Sequence, residues 1–165
     1  MKKVLLLIFA VAIAGASCKK ENTGNNPTQT PEEAYAERIN GSWNVNQLTY
    51  TATVSTPFGP VPINGTATNS GNITFNSTAK TATYNIRFLP QLGNLPIPVD
   101  TVRLSGGGTF TNTTTAITLT DSSGQVLVFN VLTNEASIQV LRTALNYQLD
   151  STTVVPVTME MRLGR

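Results

Sequence analysis

The sequence predicts an all-β protein, an antiparallel up-and-down barrel of about eight strands preceded by a short helix. Threonine is abundant while only 12% of the residues are charged, and threonine's β-branched side chain suits a half-buried strand. Apolar and polar residues alternate along most of the chain, as in strands with one buried face. Turn signals recur every ~8–12 residues and connect consecutive strands without a crossover. A short-strand sandwich is the rival architecture.

The composition excludes several kinds of catalytic and metal site. The chain has one cysteine and no histidine, so an intrachain disulfide, a histidine zinc site and a Ser-His-Asp triad are impossible. The Gly106-Gly107-Gly108 run lacks the helix and lysine of a phosphate loop and is interpreted as a strand kink. No carboxylates are paired as in a glycosidase. We therefore expect no enzyme activity, no catalytic residue, no metal site and no cofactor.

The charge balance argues against a nucleic-acid partner. The chain has 11 basic and 9 acidic residues, but Lys2 and Lys3 belong to the leader. Without them the basic and acidic residues are equal in number. Binding to nucleic acid requires a basic surface, and this composition does not provide one.

Residues 1–17 have the pattern of a signal peptide: a basic start, an apolar run over residues 4–14 and a small-residue end over residues 15–17. The run is shorter than the ~20 residues that span a bilayer. Cys18 follows directly, which resembles the lipobox of bacterial lipoproteins, although that family usually has leucine in place of Gly15. The resemblance implies that Cys18 is acylated and attaches the mature chain to a membrane. An ordinary secretory leader that leaves Cys18 as a free thiol is the alternative.

Residues 18–30 are predicted to be a flexible tether, because they are polar and have nothing to bury. The Lys19-Lys20-Glu21 triplet resembles the charged signal that sends some lipoproteins of the Bacteroidota to the cell surface. The resemblance implies a lipid-anchored protein of the outer membrane that is exposed at the cell surface. An anchor that faces the periplasm is the alternative.

The next segment predicts a short helix. Thr30 is suited to cap it, Pro31 to its first position, and Glu33 to complete a capping box with Thr30. Asn40-Gly41 is a stop signal. The helix is too short to be stable alone, so we expect Tyr35 and Ile39 to pack against the domain.

The first strand starts at Gly41-Ser42-Trp43. A short helix followed by Gly-X-Trp at the start of a meander resembles the lipocalin-like domains, and residues 131–138 look like the late hairpin of bacterial lipocalin-like lipoproteins. The resemblance covers residues 31–165 and implies one barrel domain. In that superfamily the tryptophan packs across the closed end beneath a basic side chain of a late strand, which implies Arg142 or Arg162 here. Alternatively, Trp43 is simply a large core residue.

The alternation predicts the inward-facing side chains and the closure of the barrel. One strand is expected from Val61 to Phe75, and small inward positions such as Gly65 and Gly106 either leave interior space or mark bulges. The last strand, Val155 to Leu163, must lie beside Trp43 to Tyr50 if the barrel closes. This pairing is the main test of the predicted fold.

A meander places its turns alternately at the two ends of the barrel. The helix therefore shares one end with short polar turns, and two long apolar loops share the other. The expected ring of apolar side chains consists of Phe58, Leu89, Leu92, Leu95 and Ile97. Such loops mark a ligand mouth, a partner surface or a membrane contact, or they fold inward as core.

These observations predict a lipid-anchored outer-membrane lipoprotein whose lipocalin-like barrel binds a small apolar ligand without covalent chemistry. The alternative is a surface interaction module with no small-molecule ligand. It would dock a protein or a glycan-handling complex through its apolar loops.

Overall fold

The computed structural model describes residues 29–56, 59–90, 101–148 and 153–165. These residues form one helix and nine strands. In chain order the elements are α1 (Pro31–Ile39), β1 (Gly41–Thr56), β2 (Gly59–Thr68), β3 (Gly71–Asn76), β4 (Thr81–Phe88), β5 (Val102–Asn112), β6 (Ala116–Asp121), β7 (Val126–Asn134), β8 (Ile138–Gln148) and β9 (Val154–Gly164). Every strand pairing among them is antiparallel. The all-β class and the short helix before the barrel are confirmed.

Eight of these strands close into a barrel, and β2 is an additional strand. The order runs from β1 through β3 to β9, and β9 pairs back onto β1. In this closing pair Val45 lies opposite Leu163, and Tyr50 lies opposite Met159. The up-and-down barrel is therefore confirmed, and the sandwich is excluded because the sheet closes on itself.

The single strand expected from Val61 to Phe75 is in fact two strands. β2 pairs with the second half of β1 and β3 with its first half, and the chain kinks between them at Asn69 and Ser70. Asn69 has a φ of 52° and Gly71 a φ of +118°, a left-handed conformation that asparagine and glycine adopt most readily. The turn residues needed for a kink interrupt the alternation at this point.

A bulge at Asn46 changes which side chains of β1 face inward. The pairing with β9 passes from Val45 opposite Leu163 directly to Gln47 opposite Arg162, so Asn46 is the extra residue. Trp43 and Val45 are buried before the bulge, and Leu48 and Tyr50 are buried after it. Because a one-residue shift exchanges the two faces of a strand, the bulge is needed to keep both apolar pairs in the core.

Helix α1 has the predicted cap. The Glu33 N–H donates to Thr30 Oγ1 at 3.2 Å, and the Thr30 N–H donates to Glu33 Oε2 at 2.9 Å. Tyr35, Ala36 and Ile39 are buried, so the helix is held by packing against the barrel. The described residues contain no helix with the length and apolar content needed to cross a bilayer.

The helix closes one end of the barrel together with three turns. The Ser77 N–H, after β3, donates to Asn40 Oδ1 at 2.9 Å. The side-chain Nδ2 of Asn112, at the end of β5, donates to the Glu32 carbonyl at 2.8 Å. The Arg38 side chain of α1 donates to the carbonyl of Asn134, the last residue of β7, at 3.5 Å. The predicted placement of these three turns at the helix end is confirmed, and we call this end the closed end.

Candidate functional site

Trp43 is the centre of the closed end. Its side chain is 0% exposed, and its indole Nε1–H donates to the Ile39 carbonyl at 2.7 Å. The guanidinium of Arg165 lies over the indole, 4.3 Å from the ring centroid. The same guanidinium donates to the carbonyls of Asn40 at 2.9 Å and Ala136 at 3.1 Å. One cation therefore holds together the helix end, the β7–β8 turn and the indole.

The expectation that Arg142 or Arg162 covers Trp43 is wrong. Arg142 is on the outer face of β8, where it forms an ion pair with Glu160 at 2.7 Å. Arg162 is exposed between the buried Met161 and Leu163. Both arginines occupy outward positions in the alternation, and the residue over the indole is Arg165, which directly follows the end of β9.

A buried polar pair lies beneath the helix. Gln139 is 1% exposed, and its Nε2 donates to the Glu135 carbonyl at 2.7 Å. The Tyr35 hydroxyl donates to Gln139 Oε1 at 3.4 Å. Burial raises the pKa of Tyr35 above its ordinary value, and the nearby Arg38 lowers it by less. Because these groups are satisfied within the protein, we interpret them as structural.

Four residues of the predicted apolar ring at the other end of the barrel, Phe58, Leu92, Leu95 and Ile97, lie outside the described residues. Leu89 is described and is 59% exposed. We call the end of the barrel opposite the closed end the open end.

The open half of the barrel contains a small interior pocket of about 160 Å³. Three buried residues, Ile86, Phe129 and Met159, form part of its wall, and half-buried side chains form most of the rest. The half-buried residues are Tyr84, Leu104, Leu127 and Leu145. The exposed residues Arg103 and Ser105 of β5 complete the lining. The wall is thus mainly apolar, and its polar groups are the side chains of Arg103 and Ser105 and the Tyr84 hydroxyl. The pKa of Tyr84 is raised by burial and by the Asp121 carboxylate.

The glycines expected to leave interior space do so less than their size suggests. A Cβ on Gly106 would lie 2.7 Å from the Tyr84 hydroxyl, because Tyr84 lies directly opposite Gly106. A Cβ on Gly65 would overlap the ring of Tyr50, its partner across β1 and β2. Tyrosines of neighbouring strands therefore fill the space over these two glycines.

A second concavity lies on the outside of the barrel. It has a volume of about 730 Å³ and is lined by five asparagines, two arginines, a serine and Gly71. It spans β1, β3, β4 and β5 beside the kink at Asn69. We call it the asparagine groove. The sequence analysis missed it, because its residues are far apart in the chain and individually look like ordinary exposed polar side chains.

Comparison of the chain with protein-family models, curated proteins and solved structures finds no match. A function must therefore be argued from the geometry of the barrel. The described residues contain no group of three His, Cys, Asp or Glu side chains placed to hold a metal ion. The interior pocket and the asparagine groove are two candidate sites among the described residues.

Proposed function

We propose that this protein is a lipid-anchored, lipocalin-like barrel that binds the apolar part of a small molecule at its open end. The interior pocket carries the proposal. It lies mainly among inward-facing side chains of β4, β5, β7, β8 and β9, with the exposed Arg103 and Ser105 in its lining, away from the helix and Trp43. An apolar cavity with a few polar groups in its wall is typical of small-molecule sites, in which the polar groups set the orientation of the ligand. Those groups here are the Tyr84 hydroxyl and the side chains of Arg103 and Ser105.

The pocket size limits the ligand. A cavity of about 150 Å³ lined by apolar side chains accommodates benzene, and this pocket is of similar volume, about 160 Å³. It therefore suits one aromatic ring or a short branched alkyl group and is too small for a whole lipid. The rest of the ligand must extend out of the pocket.

The test is to fill the pocket and compare with a matched outward substitution. Leu127→Trp places a larger side chain in the pocket, whereas Val128→Trp places the same side chain on the outer face of β7, where Val128 is 41% exposed. We expect the wild type and Val128→Trp to bind an aromatic fluorescent probe saturably and Leu127→Trp to bind it at least tenfold more weakly. Equal binding by all three proteins, or no saturable binding of any probe in a chemically varied panel, would refute the proposal.

The membrane anchor rests on the lipobox-like residues 15–18, which lie outside the described part of the chain. Acyl chains on Cys18 would hold the barrel at the outer membrane, with the cell surface as the expected side. Cys18→Ser is expected to abolish the incorporation of labelled palmitate. Protease treatment of intact cells distinguishes the cell surface from the periplasm, because only a surface-exposed barrel is then digested.

A second function, docking of a partner protein, is favoured by one observation on β7. Val126, Val128 and Leu132 are 60%, 41% and 46% exposed, which places three large apolar side chains on one strand in contact with solvent. If this stripe is an interface, Val128→Lys should abolish crosslinking to the partner on intact cells while Arg142→Gln leaves it unchanged. Crosslinks that survive Val128→Lys would exclude the stripe as the contact.

A further inference from the structure

The asparagine groove contains a row of polar side chains in register across four strands. Asn44 of β1 lies opposite Asn72 of β3, Asn72 opposite Asn85 of β4, and Asn85 opposite Ser105 of β5. All four residues are exposed on the outer face. Neighbouring strands are about 4.8 Å apart, so the row extends over about 14 Å. Each amide offers both donors and an acceptor, which gives a line of mixed hydrogen-bonding groups.

Two arginines lie directly opposite each other at the edge of this row. Arg87 of β4 pairs in register with Arg103 of β5, and both side chains are exposed in the groove. Like charges at directly opposed positions destabilise a sheet. Among the described residues the one ion pair is that of Arg142 with Glu160, so no described acidic side chain compensates the arginine pair. This arrangement costs stability and suits an anionic ligand, because a guanidinium binds carboxylates in a planar, two-point geometry.

The backbone beside the row is built to be concave. Asn46 is the bulge residue of β1, and its carbonyl accepts the N–H of Asn69, the positive-φ residue of the kink, at 3.2 Å. A Cβ on Gly71 would collide with the Asn85 carbonyl, so the floor of the groove is bare backbone at this point. Bulges and unusual φ values often occur where a strand is shaped for function.

We propose that the asparagine groove binds an acidic saccharide, with the asparagine row pairing with sugar hydroxyls and Arg87 and Arg103 binding a carboxylate. The volume of about 730 Å³ lies within the usual range for ligand sites. The length of the row suits an extended chain of rings better than a single ion. The lining has no aromatic or large apolar side chain. The core of a protein interface would contain such side chains. Two arginines are too few for a nucleic-acid surface.

The groove shares Arg103 and Ser105 with the interior pocket, whereas Arg87 and the asparagine row line the groove and not the pocket. The proposal therefore does not depend on the proposed ligand of the barrel. The test uses the full lipidated chain in neutral detergent micelles and measures binding by calorimetry. The probe is a tetramer of galacturonic acid, and its methyl ester is the neutral control of the same length. We expect the ester to bind at least tenfold more weakly, because it lacks the charge-assisted hydrogen bonds to the arginines.

Two substitutions with one matched control locate the site. Arg87→Gln should weaken binding of the acid tetramer at least tenfold and bring it close to that of the ester. Asn72→Ala should weaken binding of both ligands severalfold, because it removes contacts to hydroxyls. Arg142 is an exposed arginine on the opposite part of the barrel wall, and Arg142→Gln should leave both affinities unchanged.

Stability measurements separate binding from folding. Because Arg87→Gln removes a like-charge pair, its urea midpoint should equal or exceed that of the wild type. A clear loss of stability would show that Arg87 has a structural role and would overturn the proposal. Absence of saturable binding by a panel of acidic oligosaccharides would also overturn it. So would equally tight binding of inorganic phosphate or of a DNA oligonucleotide, which would indicate a simple anion site or a general polyanion surface.

Discussion

Removal of Arg165 should destabilise the barrel more than removal of any exposed arginine of the outer wall. Its guanidinium lies 4.3 Å from the centroid of the Trp43 ring and donates to the carbonyls of Arg38, Asn40 and Ala136 at 3.0, 2.9 and 3.1 Å. Two of these carbonyls belong to the C-terminal end of α1, where the helix dipole also favours a positive charge. Arg165→Ala removes all of these interactions at once.

The magnitude follows from these contacts. A cation over an aromatic ring contributes about 0.5–2 kcal/mol, and a hydrogen bond from a charged donor contributes about 1.5–3 kcal/mol. Arg165 is exposed to solvent, so solvent screening reduces each contribution. We therefore expect Arg165→Ala to lower the free energy of unfolding by about 2–4 kcal/mol. For a domain of this size, this corresponds to a fall in Tm of roughly 10 °C.

The assay is urea unfolding of a protein that lacks residues 1–17, followed by tryptophan fluorescence and by circular dichroism. The chain has one Trp, so fluorescence reports on the closed end itself. Arg162→Ala is the matched control, because Arg162 lies three residues earlier on the outer face and is exposed. The urea midpoint of Arg165→Lys should lie between those of the wild type and Arg165→Ala, since lysine keeps the charge but loses the planar set of donors. If Arg165→Ala unfolds at the same urea concentration as Arg162→Ala, the reasoning is wrong.

Two further predictions concern the kink and the β6–β7 turn. Gly71→Ala should lower the urea midpoint more than Gly124→Ala. Both glycines have a positive φ, but only at Gly71 would a Cβ collide with the backbone, at the Asn85 carbonyl. Equal losses of stability would contradict this. Hydrogen bonds from Ser123 and Gln125 hold the pKa of Asp121 below its ordinary value of 3.8, so the stabilisation is present above pH 3.8 and is lost as the pH falls through the lower folded value. The urea midpoint should therefore fall more steeply in acid for the wild type than for Asp121→Asn, and parallel curves would show that this turn does not contribute.

The barrel was predictable because its information is local. In a meander each strand pairs with the next, so the order of strands follows from the order of turns. The last strand alternates cleanly, and Val155, Met159, Met161 and Leu163 are all buried as the alternation predicts. The capping box of α1 was equally predictable, because it depends on two residues three positions apart.

The misplaced features depend on contacts between distant residues. The alternation itself places Arg162 on the outer face, which conflicts with a role at the closed end, and the resemblance to lipocalin-like domains did not specify Arg165. The space expected at Gly65 and Gly106 is occupied by Tyr50 and Tyr84, because the register across strands decides which ring lies over which glycine. That register cannot be derived from the alternation of residues along a single strand.

The two candidate sites can be separated because each has side chains that the other lacks. Arg103 and Ser105 of β5 line both sites, whereas Leu127 lines only the interior pocket and Arg87 only the asparagine groove. A substitution of Leu127 or of Arg87 therefore leaves the lining side chains of the other site in place. Leu127→Trp should therefore block the apolar probe without changing saccharide binding, and Arg87→Gln should have the reverse effect. If either substitution abolished both activities, the two sites could not be independent and the wall formed by β5 would have to move as a unit.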